Sequence, residues 1–121
     1  MPIVQIATNI GKRLGSPFLK NVTRMVAEMT NKPEKAVVVM HNFNYEMWYD
    51  DSEAPLAHIR FTSLGMSISD HAHYSAKFAE LINRDLGVAT ERVVVYFSSP
   101  EPTHIGKNGS TIAEIRKNQD N

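Results

Sequence analysis

Pro2 stands directly after Met1. A small second residue permits removal of an initiator methionine, and proline would then carry the free amine of the chain. That amine is secondary and sits on a stiff ring, so it is both a compact base and a nucleophile. A terminal amine ordinarily titrates at about 7.7–8.0, and burial or a nearby cation lowers that value. Many chains also begin Met-Pro for no catalytic reason, and position alone does not separate the two readings. A second candidate is Asp70-His71-Ala72-His73, which has the look of a metal-binding run. His71 and His73 are two residues apart on an expected helix, about 200° around its axis, so they make a poor chelate. The run reads as a surface helix start, and no metal site is expected. His41, His58 and His104 are isolated in the sequence.

Elements must exist to position these groups. Ile3 to Thr8 is apolar and β-branched and reads as a strand. Ser16-Pro17 is a good helix start, with a hydroxyl to cap and a proline where no amide is needed. Phe18, Leu19, Val22, Met25, Val26 and Met29 follow at helical spacing, and Asn31 and Pro33 stop the helix near Thr30. Val37 to Asn42 is a strand, Met47-Trp48-Tyr49 a short one, and Leu56 to Leu64 a longer one. On the last, Ile59 and Phe61 share one face and His58, Arg60 and Thr62 the other. Ser69 can cap a second helix, whose apolar stripe is Tyr74, Phe78, Leu81, Ile82 and Leu86 and whose end is Gly87. Arg92 to Phe97 closes the series.

A shift of 57 residues aligns Met25 with Ile82, Glu34 with Glu91 and Val37-Val38 with Val94-Val95. Two β-α-β units therefore follow, forming a four-stranded sheet with two helices on one face. Both Val-rich strands read as buried on two faces, so something outside the helices must cover the open face. Another copy of the chain is the natural candidate. The whole of 1–121 reads as a single α/β domain, with residues 114–121 a polar tail.

Composition excludes several classes of function. The chain has 121 residues, 13 basic and 13 acidic side chains and no cysteine. The charge balance supplies no basic excess for nucleic acid or for a polybasic membrane anchor. The absence of cysteine removes disulfides, thiolate metal sites and a thiol nucleophile. The longest apolar runs have five residues, Ala36–Met40 and Val93–Phe97, whereas a bilayer span needs about 20. No signal peptide is evident, so a cytoplasmic location is expected. The triplets Asn21-Val22-Thr23 and Asn108-Gly109-Ser110 are read as chance matches to a glycosylation site.

Seven short motifs then occur in sequence. They are Met1-Pro2, Thr8-Asn9, Asn31-Lys32-Pro33-Glu34, Ala54-Pro55, Ser63-Leu64-Gly65, Glu91-Arg92-Val93 and Gly106-Lys107-Asn108-Gly109-Ser110-Thr111. In this order and spacing, from Pro2 to about Ala113, the chain resembles the macrophage migration inhibitory factor branch of the tautomerase superfamily. The resemblance implies a homotrimer with a mixed sheet in each subunit and an active site between neighbours. It implies a keto-enol tautomerase acting on a small keto or enol acid, without a cofactor. Pro2 would be the catalytic base and Lys32 the anchor for a carboxylate or carbonyl oxygen. Leu64 would offer its backbone amide, and Ile105 an apolar wall.

Some positions depart from that pattern. Val94 and Tyr96 stand where the family usually has Tyr and Asn, so Tyr96 offers a phenol in place of an amide. Lys107 replaces a tryptophan, exchanging an aromatic wall for a cation that either favours a dianionic substrate or faces solvent. Leu56-Ala57-His58-Ile59 replaces a Cys-x-x-Cys, which excludes thiol-disulfide activity. Two alternatives follow. One is a binding or signalling trimer with a degenerate pocket, suggested by Val94 and Lys107. The other is dehalogenation or hydration of unsaturated acids, ranked lower because Arg60 is the only arginine on a mid-chain strand.

Overall fold

Alternation over Pro2–Thr8 builds the first strand, β1. Val4, Ile6 and Thr8 turn toward the helices and are buried; Ile3, Gln5 and Ala7 turn to the opposite face. The computed structural model describes residues 1–120. After β1 come α1 (Ser16–Thr30), β2 (Val38–Asn42), β3 (Ala57–Ser63), α2 (His71–Leu86) and β4 (Val93–Ser98). A small hairpin, β5 (Gly106–Lys107) and β6 (Ser110–Thr111), leads into α3 (Ile112–Asp120).

The main sheet has the order β2-β1-β3-β4. Each half contributes a parallel pair, β1 with β2 and β3 with β4, and the halves meet where β1 and β3 run antiparallel. This is the expected mixed sheet of two β-α-β units. Phe18, Val22 and Val26 of α1 and Tyr74, Phe78, Leu81 and Ile82 of α2 cover one face. Phe61 is central to that core, with its ring edge-on to Phe78 at 5.2 Å.

The opposite face is open in one subunit. Val38, Met40, Val94 and Tyr96 are exposed there, Tyr96 to 58%. The edge strands are therefore covered on one side only within the chain, and two-sided burial is not met without a partner. Main-chain pairing sets rows across this face, one of them Met40, Gln5, Arg60 and Tyr96.

Three local expectations are corrected. Gly15, not Ser16, takes the N-cap of α1, and no side chain caps it. Gly15 sits at φ 71°, a conformation open to glycine, and this leaves Ser16 already helical. The cap before α2 is a pair, Ser67 with Asp70: the Ser67 amide donates to the Asp70 carboxylate at 3.1 Å, and Ser69 lies inside the turn they close. Met47-Trp48-Tyr49 joins no sheet. The Asn44 and Tyr45 amides are spent on the carbonyls of Ile10 and Thr8, both at 2.9 Å. Asp50 and Asp51, at φ 52° and 55°, then fold Tyr49 back onto Ser52 as an isolated bridge. Trp48 is left 64% exposed. Among the described residues no helix is long and apolar enough to cross a membrane.

Candidate active site

Two chain turns bring the N-terminus and Lys32 together. Asn31 ends α1 at φ 55°, in the left-handed region that asparagine tolerates, and the Lys32 amide closes the helix on the Ala27 carbonyl at 3.0 Å. The chain leaves α1 there toward the far end of β3. Gly65, at φ 73°, turns the chain just after β3 and leaves the Leu64 carbonyl available. The Lys32 ammonium donates to that carbonyl at 3.0 Å and to Ser63 Oγ at 3.3 Å. Pro2 pairs with Ser63 in the β1–β3 ladder, so the start of β1 lies beside the same ammonium. Pro2 is fully buried and Leu64 nearly so.

The terminal amine here belongs to Met1. Burial and the Lys32 ammonium together lower it from the ordinary 8.0 to about 6, with smaller contributions from Arg116 and Lys107. Lys32 is itself lowered, first by burial and also by Arg116, while its hydrogen bond to the terminal amine acts in the other direction. Removing Met1 would hand this cationic surround to the nitrogen of Pro2, the next residue along. With Met1 in place that nitrogen is an amide and is no base.

The C-terminal segment supplies the remaining cations. Ile105 is half-buried, and its carbonyl accepts the Ile112 amide at 2.9 Å, tying α3 to the turn before β5. Asn108 and Gly109 both have positive φ and form the two-residue hairpin between Lys107 and Ser110. Lys107 is exposed yet close enough to bear on the terminal amine. The polar stretch from Glu114 is helical through Asp120, and Thr111 Oγ1 caps it by accepting the Glu114 amide at 3.1 Å. Arg116 was not anticipated as a site residue; no motif marks it, and only the placement of α3 reveals it. The helix itself had a signal, the capping pattern Thr111-x-x-Glu114.

Pro2, Lys32, Leu64 and Lys107 therefore converge in one chain, with Ile105 beside the hairpin that carries Lys107. Tyr96 does not. It lies on the open face of β4, two strands from β1, with the Arg60 guanidinium 5.7 Å from its ring centre. Val94 shares that face. Among the described residues no cluster of metal-ligating side chains exists, and His71 instead stacks on Phe97 at 4.4 Å.

Other motif residues turn out to be ties. Asn9 donates to the carbonyls of Glu53 and Ala54 and accepts the Leu56 amide at 2.9 Å. Arg92 donates to four carbonyls, those of Tyr49, Ser52, Ala54 and Pro55, at 2.9–3.3 Å. A cleft of about 530 Å³ lies at this end of β1, lined by Asn9, Tyr45, Glu46, Met47, Trp48 and Glu53. It is larger than anything described around Pro2, yet it offers carboxylates and aromatic rings and no amine.

Comparison with known proteins agrees with this geometry. The family model described as macrophage migration inhibitory factor matches residues 1–113. The chain is 28% identical to the MIF-like protein mif-2 of Caenorhabditis elegans over 97% of this chain and 99% of that protein. It is 31% identical to D-dopachrome decarboxylase of Gallus gallus over 89% of this chain and 94% of that one. The solved macrophage migration inhibitory factor of Trichinella spiralis superposes with a TM-score of 0.85 at 28% identity, covering 90% of this chain and 98% of that one.

Proposed function

The chain belongs to the macrophage migration inhibitory factor family, and on that premise we propose that it is a keto-enol tautomerase of small keto or enol carboxylic acids. Pro2, freed by loss of Met1, is the base. Its nitrogen takes a proton from the carbon next to a carbonyl. The C–H electrons form the C=C bond, and the carbonyl electrons move to oxygen. Lys32 meets that negative charge as it develops, which is when stabilisation lowers the barrier. The proton held on the proline nitrogen then passes to the oxygen, and ketonisation is the reverse. Leu64 offers a backbone amide to the substrate, Ile105 an apolar wall and Lys107 a further positive charge. The similarity to a D-dopachrome decarboxylase supports an isomerase-type activity. No cofactor is required for such a proton transfer.

One observation carries the reading: a terminal amine held at about 6 beside a lysine that is fixed on the Leu64 carbonyl. Such an amine is mostly free base near neutral pH. We further propose a cytoplasmic homotrimer. Its neighbouring subunit covers the open sheet face and brings Tyr96 to the Pro2 site. Three measurements test this. Untagged protein should show mass loss of Met1, sediment at three times 13.6 kDa, and interconvert an enol acid with its keto form. Acetylating the Pro2 nitrogen should abolish turnover while leaving the fold intact. Undiminished turnover after acetylation would overturn the assignment.

A second reading keeps the trimer without turnover, as a binding or signalling protein. It is favoured by Val94, which offers substrate no hydrogen bond, and by the engagement of Tyr96 with Arg60. Retained Met1 in the native protein would select it.

A further inference from the structure

The proposed site holds more positive charge than one carboxylate requires. Lys32 is fixed by Ser63 and Leu64 at the end of β3. Lys107 stands on β5, and Arg116 on α3, beyond the residues 1–113 that the family model matches. α3 is not a loose appendage: the Ile112–Ile105 main-chain bond and the Thr111 cap hold it, and it packs on the turn at Pro102–His104. Arg116 is exposed, and its charge reaches both the terminal amine and Lys32. Every charged group that acts on that amine is a cation. The ion pair found among the described residues joins Arg84 to Asp85, within α2. Three like charges around one amine repel one another, and an anion with two charges relieves more of that repulsion than an anion with one.

We infer that the site selects a dianion, a small 2-oxo or enol acid with a second acidic group, the first carboxylate met by Lys32 and the second group by Arg116 with Lys107 adding to the field. The inference rests on the reading of this site as a tautomerase pocket. It assigns to α3 a part in substrate choice. The second acidic group is a carboxylate or a phosphoryl group, which share the chemistry that an arginine fork recognises.

The test uses untagged protein and three probes: oxaloacetate, its 4-methyl ester, which removes one charge at nearly constant shape, and 3-phosphonopyruvate. Binding is read by calorimetry and enol–keto interconversion by ultraviolet absorbance. Affinity for a diacid should exceed that for the ester by roughly tenfold, as expected for an added charge-assisted contact. Arg116→Gln should bring that ratio toward one, and Arg116→Lys should keep most of it. Whichever diacid binds more tightly names the second group. Equal affinity for the ester and both diacids, a ratio unchanged in Arg116→Gln, or no binding of any probe overturns the inference. Charge-selective binding with no interconversion of any probe would instead overturn the tautomerase reading and leave the dianion preference standing.

Discussion

Lys32→Gln should separate two effects that the same ammonium exerts. The first is on the base. The terminal amine lies about two units below its ordinary value, from 8.0 to about 6, with burial the largest cause and Lys32 next. Burial survives the substitution, so the amine should rise by about one unit only. The sign follows from repulsion: without the lysine, the protonated amine is less disfavoured, and more of it stays charged at neutral pH. At pH 7 the free base would fall from about 90% to about 50%, less than a twofold loss. The second effect is on the enolate. Loss of a donor aimed at developing negative charge costs on the order of a hundredfold in turnover. A pH–rate profile on an enol acid reads both quantities. Its inflection should move up by about one unit, and its high-pH plateau should fall by about a hundredfold. Circular dichroism would check that loss of the bonds to Ser63 and Leu64 leaves the fold intact. A lowered plateau with a fixed inflection would refute the electrostatic link between Lys32 and the base. A shifted inflection with an undiminished plateau would refute the role of Lys32 at the enolate.

Two further expectations concern stability. Phe61→Ala should destabilise the chain by about 3–5 kcal/mol in urea unfolding, because the ring is fully buried against Tyr74, Phe78 and Phe97. Arg92→Ala should cost about 1–2 kcal/mol by freeing the carbonyls of Tyr49, Ser52, Ala54 and Pro55, and hydrogen exchange should quicken across residues 49–55.

Periodicity made the main sheet and α1 and α2 legible, since Val4, Ile6, Ile59 and Phe61 alternate and Phe18, Val22 and Val26 recur at helical spacing. The errors fell where local chemistry competes with itself. Ser16 and Ser69 are good caps in isolation, but Gly15 adopts a conformation closed to serine, and Ser67 has an acidic partner three residues on. Met47-Trp48-Tyr49 has strand composition, but its flanking residues at positive φ and its neighbours' bonds to the end of β1 deny it a ladder. The convergence of Pro2 with Lys32 was legible only through resemblance, because thirty intervening residues carry no statement of where two chain ends meet. Arg116 was not legible at all. Its place follows from how a hairpin and a capped helix fold back, which is tertiary information. Asn9 and Arg92 were recognised as motif residues, yet their observed bonds are to a loop, so membership of a motif did not distinguish an anchor of structure from an anchor of substrate.

The burial of Pro2 sets a timetable for the proposed chemistry. Its side chain lies in the frame of the central strand and is almost fully inaccessible. An aminopeptidase must draw the first residues into its own cleft in extended form, and a folded sheet does not release them. Cleavage of Met1 therefore has to come while the chain is still emerging, before β3 arrives to pair with β1. A molecule that folds with Met1 attached is not a precursor awaiting processing; it stays silent until it unfolds. The share of active molecules would then be decided once, by a race between trimming and folding, and overproduction that outruns the peptidase would yield well-folded protein with low specific activity.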